Sequence, residues 1–163
     1  MKKRLLSWLL VLTMVIPLIP STLVTTAFAA DAAGNGVDIT GVQDLADDTE
    51  TIETAGVYRI SNTRSRPVKI TATDEVVLVL DNVSIITATS PIELADSAKV
   101  TLVVPSGTSN TLKCTATAVN TANNGKTAGI LVPKNATLTI DRADGETGAG
   151  DLSVTGGYGG AGI

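Results

Sequence analysis

Histidine is absent from this sequence, and cysteine occurs once, at Cys114. The first absence excludes Ser-His-Asp and Cys-His nucleophile systems and histidine-ligated metal sites. The second excludes an intramolecular disulfide, so packing alone must hold the fold. Cys114 ends the alternating stretch Thr111-Leu112-Lys113-Cys114 and reads as a small buried apolar side chain. Aromatic residues are 2% of the chain; Trp8 and Phe28 fall within the first thirty residues, which leaves Tyr58 and Tyr158 beyond them. A basic stripe is also missing. With 12 basic and 16 acidic residues the net charge is −4, a poor match to nucleic acid. Helical periodicity is nearly absent too: past the first thirty residues no apolar face at i, i+3, i+4, i+7 persists for three turns, and Thr, Val, Gly and Asn dominate.

The N-terminus reads as an export signal over residues 1–29. Lys2, Lys3 and Arg4 form a positive start, Leu5 to Ile19 an apolar run, and Ala27-Phe28-Ala29 the small-x-small cleavage site. Pro17 and Pro20 with that small-residue exit argue against a membrane anchor, and no second stretch is long and apolar enough to span a bilayer. Removal of three basic residues leaves 9 minus 16, or −7, on about 134 residues, the size of one ordinary domain. Residues 30–55 read as a flexible acidic leader and N-terminal cap: Asp38, Asp44, Asp47, Asp48, Glu50 and Glu53 occur there without a basic partner. Gly56-Val57-Tyr58-Arg59-Ile60 reads as the first strand, and Arg59, Arg64, Arg66 and Lys69 as counter-charges to the leader.

The most informative positive feature is an internal repeat. Val68-x-Ile70-x-x-Thr73-Asp74-Glu75-Val76-Val77-Leu78 aligns with Ile92-x-Leu94-x-x-Ser97-Ala98-Lys99-Val100-Thr101-Leu102. Both align with Ile130-x-Val132-x-x-Asn135-Ala136-Thr137-Leu138-Thr139-Ile140, at spacings of 24 and 38 residues. Alternation of apolar residues is a strand signal, and recurrence over a few tens of residues is a solenoid signal. The fold class expected over 56–163 is therefore all-β, a right-handed parallel β-helix in which Val68, Ile92 and Ile130 stack. Val76 to Leu80 reads as a strand buried on both faces, Asp81-Asn82 as a turn, and Asp151 to Thr155 as a further strand. A polar Thr/Asn-rich insertion at 115–127 accounts for most of the difference between the two spacings, and insertions in such folds often line a binding face. The chain stops at Gly156-Gly157-Tyr158-Gly159-Gly160-Ala161-Gly162-Ile163 without a polar closing unit, as expected of a β-helix truncated at its C-terminal end.

Gly56-Val57-Tyr58-Arg59-Ile60-Ser61 followed by Val76-Val77-Leu78-Val79-Leu80-Asp81-Asn82-Val83-Ser84-Ile85 resembles the opening of the carbohydrate-binding β-helix domains of clostridial secreted proteins, relatives of the pectate-lyase-like fold. Pro91-Ile92, Asp96 to Leu102, Gly129 to Ile140 and Gly148-x-Gly150-x-Leu152-x-Val154-x-Gly156 continue the likeness over about residues 56–157. The terminal glycine run is similar to the repeats of bacterial surface proteins. The resemblance implies an exported or cell-surface module that binds polysaccharide or a cell-surface glycan, with calcium held by acidic side chains in some members.

With so few aromatics, contact to sugar would fall to hydroxyls, amides and carboxylates along a sheet face or the 115–127 loop. Asp81, Asn82, Asp96 and Tyr158 are the candidates. Asp141-x-x-Asp144-Gly145-Glu146 with Asp151 is the candidate cation loop, although a strand-connecting turn has the same composition. Asp81, Glu93 and Asp96, from neighbouring repeats, are the carboxylates that could cut a glycosidic bond as a pair, yet their spacing singles out no such pair. The expectation is adhesion or carbohydrate binding without catalysis in this segment. The alternatives are the N-terminal part of a polysaccharide lyase or hydrolase with its active site beyond residue 163, or a structural stalk.

Overall fold

In a computed structural model the described residues are 36–119 and 126–163; the segment 1–29 read as an export signal and residues 120–125 of the polar insertion lie outside them. The described residues are all β, without a helix, in thirteen strands. These are β1 (Gln43–Asp44), β2 (Thr51–Ile52), β3 (Gly56–Ile60), β4 (Thr63–Arg64), β5 (Val68–Ile70), β6 (Val76–Leu80), β7 (Ser84–Thr87), β8 (Ile92–Leu94), β9 (Lys99–Val103), β10 (Ser109–Cys114), β11 (Ile130–Leu131), β12 (Thr137–Asp141) and β13 (Asp151–Thr155). They form three sheets ordered β1-β3-β6-β9-β12, β4-β7-β10-β13 and β2-β5-β8-β11, called first, second and third below. Every strand pairing is parallel. From β3 onward the chain visits the sheets in fixed rotation, so β3, β4 and β5 make one round and β6, β7 and β8 the next.

The register follows the sequence repeat. Val68 pairs with Ile92, and Ile92 with Ile130, in the third sheet. In the first sheet Val76 pairs with Val100 and Val100 with Leu138; Leu78 pairs with Leu102 and Leu102 with Ile140. Parallel pairing without offset puts like side chains above one another, and alternation sends every second one inward. The inward set merges into one core that includes Ile70, Leu80, Ile85, Leu94 and Leu112, all at most 1% exposed.

Strand β6 is buried at all five positions, as its unbroken apolar run suggests. Val76, Leu78 and Leu80 enter the main core, while Val77 and Val79 join a second cluster with Val37, Val57, Val103 and Ala143, with Ile39 and Val42 against it. The cover over Val77 and Val79 is thus the segment 36–42. Its far end is bonded across the sheet: Val37 N–H donates to Arg142 O (2.9 Å) and Asp144 N–H donates to Val37 O (2.9 Å). The carboxylates of the acidic stretch are exposed, as a solvated segment requires, while Val37, Ile39 and Val42 pack against the first sheet. Two short strands, β1 and β2, precede β3, so Gly56 does not begin the first strand. Apolar residues at 37, 39 and 42 are too sparse to register against six carboxylates, yet they suffice to strap the outer face of the first sheet.

Two exposed turn residues have left-handed backbone, and one buried strand residue carries polar links between rounds. Asn82 takes a positive φ of 55° and Ser97 of 68°, backbone conformations that asparagine tolerates well. Asn110 is 1% exposed and links three segments: its Oδ1 accepts from Val83 N–H (2.9 Å), and its Nδ2 donates to Thr108 Oγ1 (2.9 Å) and Asp151 O (3.3 Å).

The glycine-rich run beyond β13 packs beside β11, with Gly129 N–H donating to Ala161 O (3.0 Å) and Ile130 N–H to Gly162 O (2.8 Å). A methyl group on Gly160 would stand 2.1 Å from the backbone oxygen of Thr127. Gly160→Ala is therefore expected to destabilise the protein by about 1–3 kcal/mol, the usual cost of forced overpacking. Urea denaturation checks this, with Gly159→Ala compared alongside it; Gly159 has open space but a φ of +68°.

Candidate functional site

The three sheets present unlike outer faces. That of the first is covered by residues 36–42. The third presents the row Thr51, Lys69, Glu93 and Leu131, and Lys126 crosses it to pair with Glu93 (Nζ to Oε1, 2.5 Å). Among the described residues the second is open and polar. Thr63 pairs with Ser84, Ser84 with Thr111, and Thr111 with Ser153, so four hydroxyl side chains stand in one row across four strands. Neighbouring strands of a sheet lie about 4.8 Å apart, which sets the spacing of that row. A second row holds Ile86, Lys113 and Thr155, and a third Ser109 and Asp151. Ile86 is 45% exposed, an apolar contact among hydroxyls. The inward partners Ile85, Leu112 and Cys114 are buried and hold this face rigid; Cys114, 2% exposed, fills the small apolar role expected of it.

The sugar-contact candidates read from the sequence are scattered rather than convergent. Asp81 and Asn82 form the turn between β6 and β7. There Asn82 Nδ2 donates to Asp81 Oδ1 (3.1 Å), and Asn82 Oδ1 accepts from Ser109 N–H (3.1 Å). Asp96 accepts from Asn135 Nδ2 through both carboxylate oxygens (3.1 and 3.2 Å). Tyr158 is 63% exposed in the turn after β13. Asp81, Glu93 and Asp96 thus each have a different hydrogen-bond partner.

The cation-loop candidates turn their carboxylates to backbone amides. Asp141 Oδ1 accepts from Arg142 N–H (2.8 Å), Asp144 Oδ1 from Gly145 N–H (2.8 Å), and Glu146 Oε2 from Ser106 N–H (2.7 Å). Asp151 lies on β13, in the second sheet. Among the described residues no group of three or more His, Cys, Asp or Glu side chains is placed to hold a metal ion. Calcium takes six to eight oxygens, so the loop as folded does not fit it.

The N-terminal end of the stack is held by arginines. The Arg64 side chain points inward on β4 and is 4% exposed. Its Nη2 donates to the carbonyls of Ala46 (3.0 Å), Asp47 (2.7 Å) and Thr49 (2.6 Å), closing the loop between β1 and β2 over the first round. Burial pushes its pKa below the usual guanidinium value, opposed by Asp47, Asp48 and Glu50 nearby. Arg66 pairs with Glu50 (2.6 Å) and Arg59, on β3, with Asp44 (2.6 Å), so two of the four bases balance carboxylates of the leader.

The Arg59 hydrogen bond holds the Asp44 carboxyl below its ordinary value, and Asp44 raises that of Arg59. A carboxylate with a depressed folded pKa adds stability above its unfolded value, about 3.9, and loses it as pH falls through the folded value. Both groups are exposed, so the effect is small and screened by salt. Asp44→Asn is expected to lower stability slightly at neutral pH and to leave it nearly unchanged well below about pH 4, so that the acid limb of a stability series flattens.

At the same end lies a cavity of about 320 Å³. Tyr58, on β3, belongs to the inward column with Leu78 and so stands at the open mouth of the core. Leu45 and Ile52 flank it, and Thr49, Thr51, Glu53 and Thr54 complete the wall. Tyr58 packs, as the sequence suggests, and lines this cavity as well.

Residues 46–162 match the family model described as carbohydrate-binding domain-containing protein. No curated protein and no solved structure gives a significant match.

Proposed function

Since the chain belongs to the carbohydrate-binding domain-containing family, we propose that it is an exported module that binds polysaccharide on the outer face of its second sheet, without catalysis of its own. The observation behind this reading is the row Thr63, Ser84, Thr111 and Ser153 on an outer face that is polar and, among the described residues, open. An extended glycan offers hydroxyls along its length, and a row of protein hydroxyls can both donate to and accept from them. Lys113 and Thr155 add a donor and a further hydroxyl, and Ile86 offers an apolar patch for ring C–H groups. Each contact is weak, so affinity comes from many of them on a surface ordered before the ligand arrives.

The architecture proposed for this module is a right-handed parallel β-helix. Rotation through three sheets in constant register supports the helix, and the strong preference of parallel crossovers for the right hand supports its handedness. The positive start, apolar run and Ala27-Phe28-Ala29 site support export to the cell surface or medium, where cell-wall and plant polysaccharides are within reach. The separate engagement of Asp81, Glu93 and Asp96 supports binding over hydrolysis.

Retention on insoluble polysaccharides tests the reading. Wild-type protein is expected to be retained, and the double variant Ser84→Ala/Thr111→Val to be retained about tenfold less, given roughly 0.5–1.5 kcal/mol for each hydrogen bond lost. Equal retention of the double variant would move the site elsewhere.

A further inference from the structure

The cavity at the N-terminal mouth has the composition of a sugar subsite. Its apolar side is formed by Leu45, Ile52 and the ring of Tyr58. Aromatic and aliphatic surface of this kind covers the C–H face of a pyranose, and the remaining wall supplies polar groups. Thr54 Oγ1 and Tyr58 Oη lie 2.8 Å apart, and Tyr58 Oη also donates to Thr54 O at 3.2 Å. With the phenol proton on Thr54 O, the threonine hydroxyl donates to the phenol oxygen and keeps lone pairs free for a ligand hydroxyl. The same bonds pin the tyrosine ring, so the aromatic wall is set before a ligand enters.

Glu53 borders the cavity, is exposed, and has no ion-pair partner among the described residues. Asp47, Asp48 and Glu50 lie in the same short segment. An anionic sugar would meet repulsion here; a neutral sugar would find an acceptor for its hydroxyls, and an amino sugar a counter-charge. A volume of about 320 Å³ is at the low end of ligand sites, enough for about one ring.

We infer that the mouth of the stack, walled by Tyr58, Thr54 and Glu53, is a subsite for a single terminal sugar ring that is neutral or bears an amine. The inference rests on the carbohydrate-binding reading and extends it. Thr63, the first hydroxyl of the row on the second sheet, belongs to the same first round of strands as Tyr58. A chain lying along the row would therefore finish at the end of the stack where the mouth opens.

The test is an NMR titration of the purified protein with methyl pyranosides of gluco, galacto, manno and xylo configuration, glucosamine and glucuronic acid. At least one neutral sugar is expected to shift the Glu53, Thr54 and Tyr58 resonances, and glucuronic acid to do so least. Glu53→Gln is expected to weaken glucosamine binding about two- to fivefold, the range of an exposed ion pair, with neutral sugars little changed. Tyr58→Leu, which keeps an apolar wall, is expected to weaken neutral sugars about two- to tenfold. Thr54→Ala, at an exposed position, provides a second variant if Tyr58→Leu folds poorly, and is expected to weaken the same sugars about two- to tenfold. Shifts confined to Ser84, Thr111 and their neighbours would overturn the mouth subsite and leave the carbohydrate reading standing. Absence of shifts with every sugar, together with no retention on any polysaccharide, would overturn both.

Discussion

Replacing Ile92 with alanine is expected to lower the unfolding free energy by about 2–5 kcal/mol, the range for truncating a large buried aliphatic side chain. Ile92 is 1% exposed and sits between Val68 and Ile130 in the third sheet, so the void would open between two neighbours with no route to collapse. Relaxation is further restricted because the backbone on both sides is fixed by the parallel ladder. Urea denaturation reads this as a lower midpoint at unchanged slope. Ile140→Ala provides the contrast: that side chain is 45% exposed, and its loss is expected to cost about 1 kcal/mol or less. Equal effects at the two positions would contradict the placement of the core.

Asn110→Ala is expected to cost about 2–4 kcal/mol for a different reason. The substitution deletes the acceptor of the Val83 N–H and the donor to Thr108 Oγ1 and Asp151 O, all at a residue 1% exposed. A buried N–H left without a partner loses its whole solvation, which exceeds the net worth of the bond when made. Asn110→Leu, which fills the space but restores no acceptor, is expected to recover little of the loss. Recovery to wild-type stability by leucine would mean that the asparagine merely fills volume.

These two sites also mark how far the sequence could be read. The column Val68–Ile92–Ile130 was legible because the residues between repeats keep a constant offset within each repeat, and alternate burial repeats with it. The polar row on the second sheet was not. Its members Thr63, Ser84, Thr111 and Ser153 are 21, 27 and 42 residues apart and, unlike the column, carry no repeated apolar frame around them to mark them as vertical neighbours. The strap was half legible. A run such as Val76–Leu80 demands cover on both faces, and residues 30–55 read as a cap, but their composition does not say that 37–42 would lie on the outer face of the first sheet. Arg64 looked like one of several counter-charges, and its actual partners are backbone carbonyls, which sequence does not display. Asp81, Asn82 and Asp96 were singled out as polar residues near strand ends, the same property that suits them to cap turns. Residue type alone does not separate capping a turn from meeting a ligand; the hydrogen-bond partners do.

The binding face is the claim on which the functional account depends, and chemical-shift mapping with a soluble oligosaccharide drawn from whichever polysaccharide retains the protein tests it most directly. The result expected is one contiguous set of perturbed amides on the outer face of the second sheet, taking in Thr63, Ser84, Thr111, Lys113 and Ser153 despite their separation in sequence, with Glu53 to Tyr58 at its end. Perturbations gathered instead on the Lys69–Glu93 face, or on the 36–42 strap, with the hydroxyl row unmoved, would contradict it.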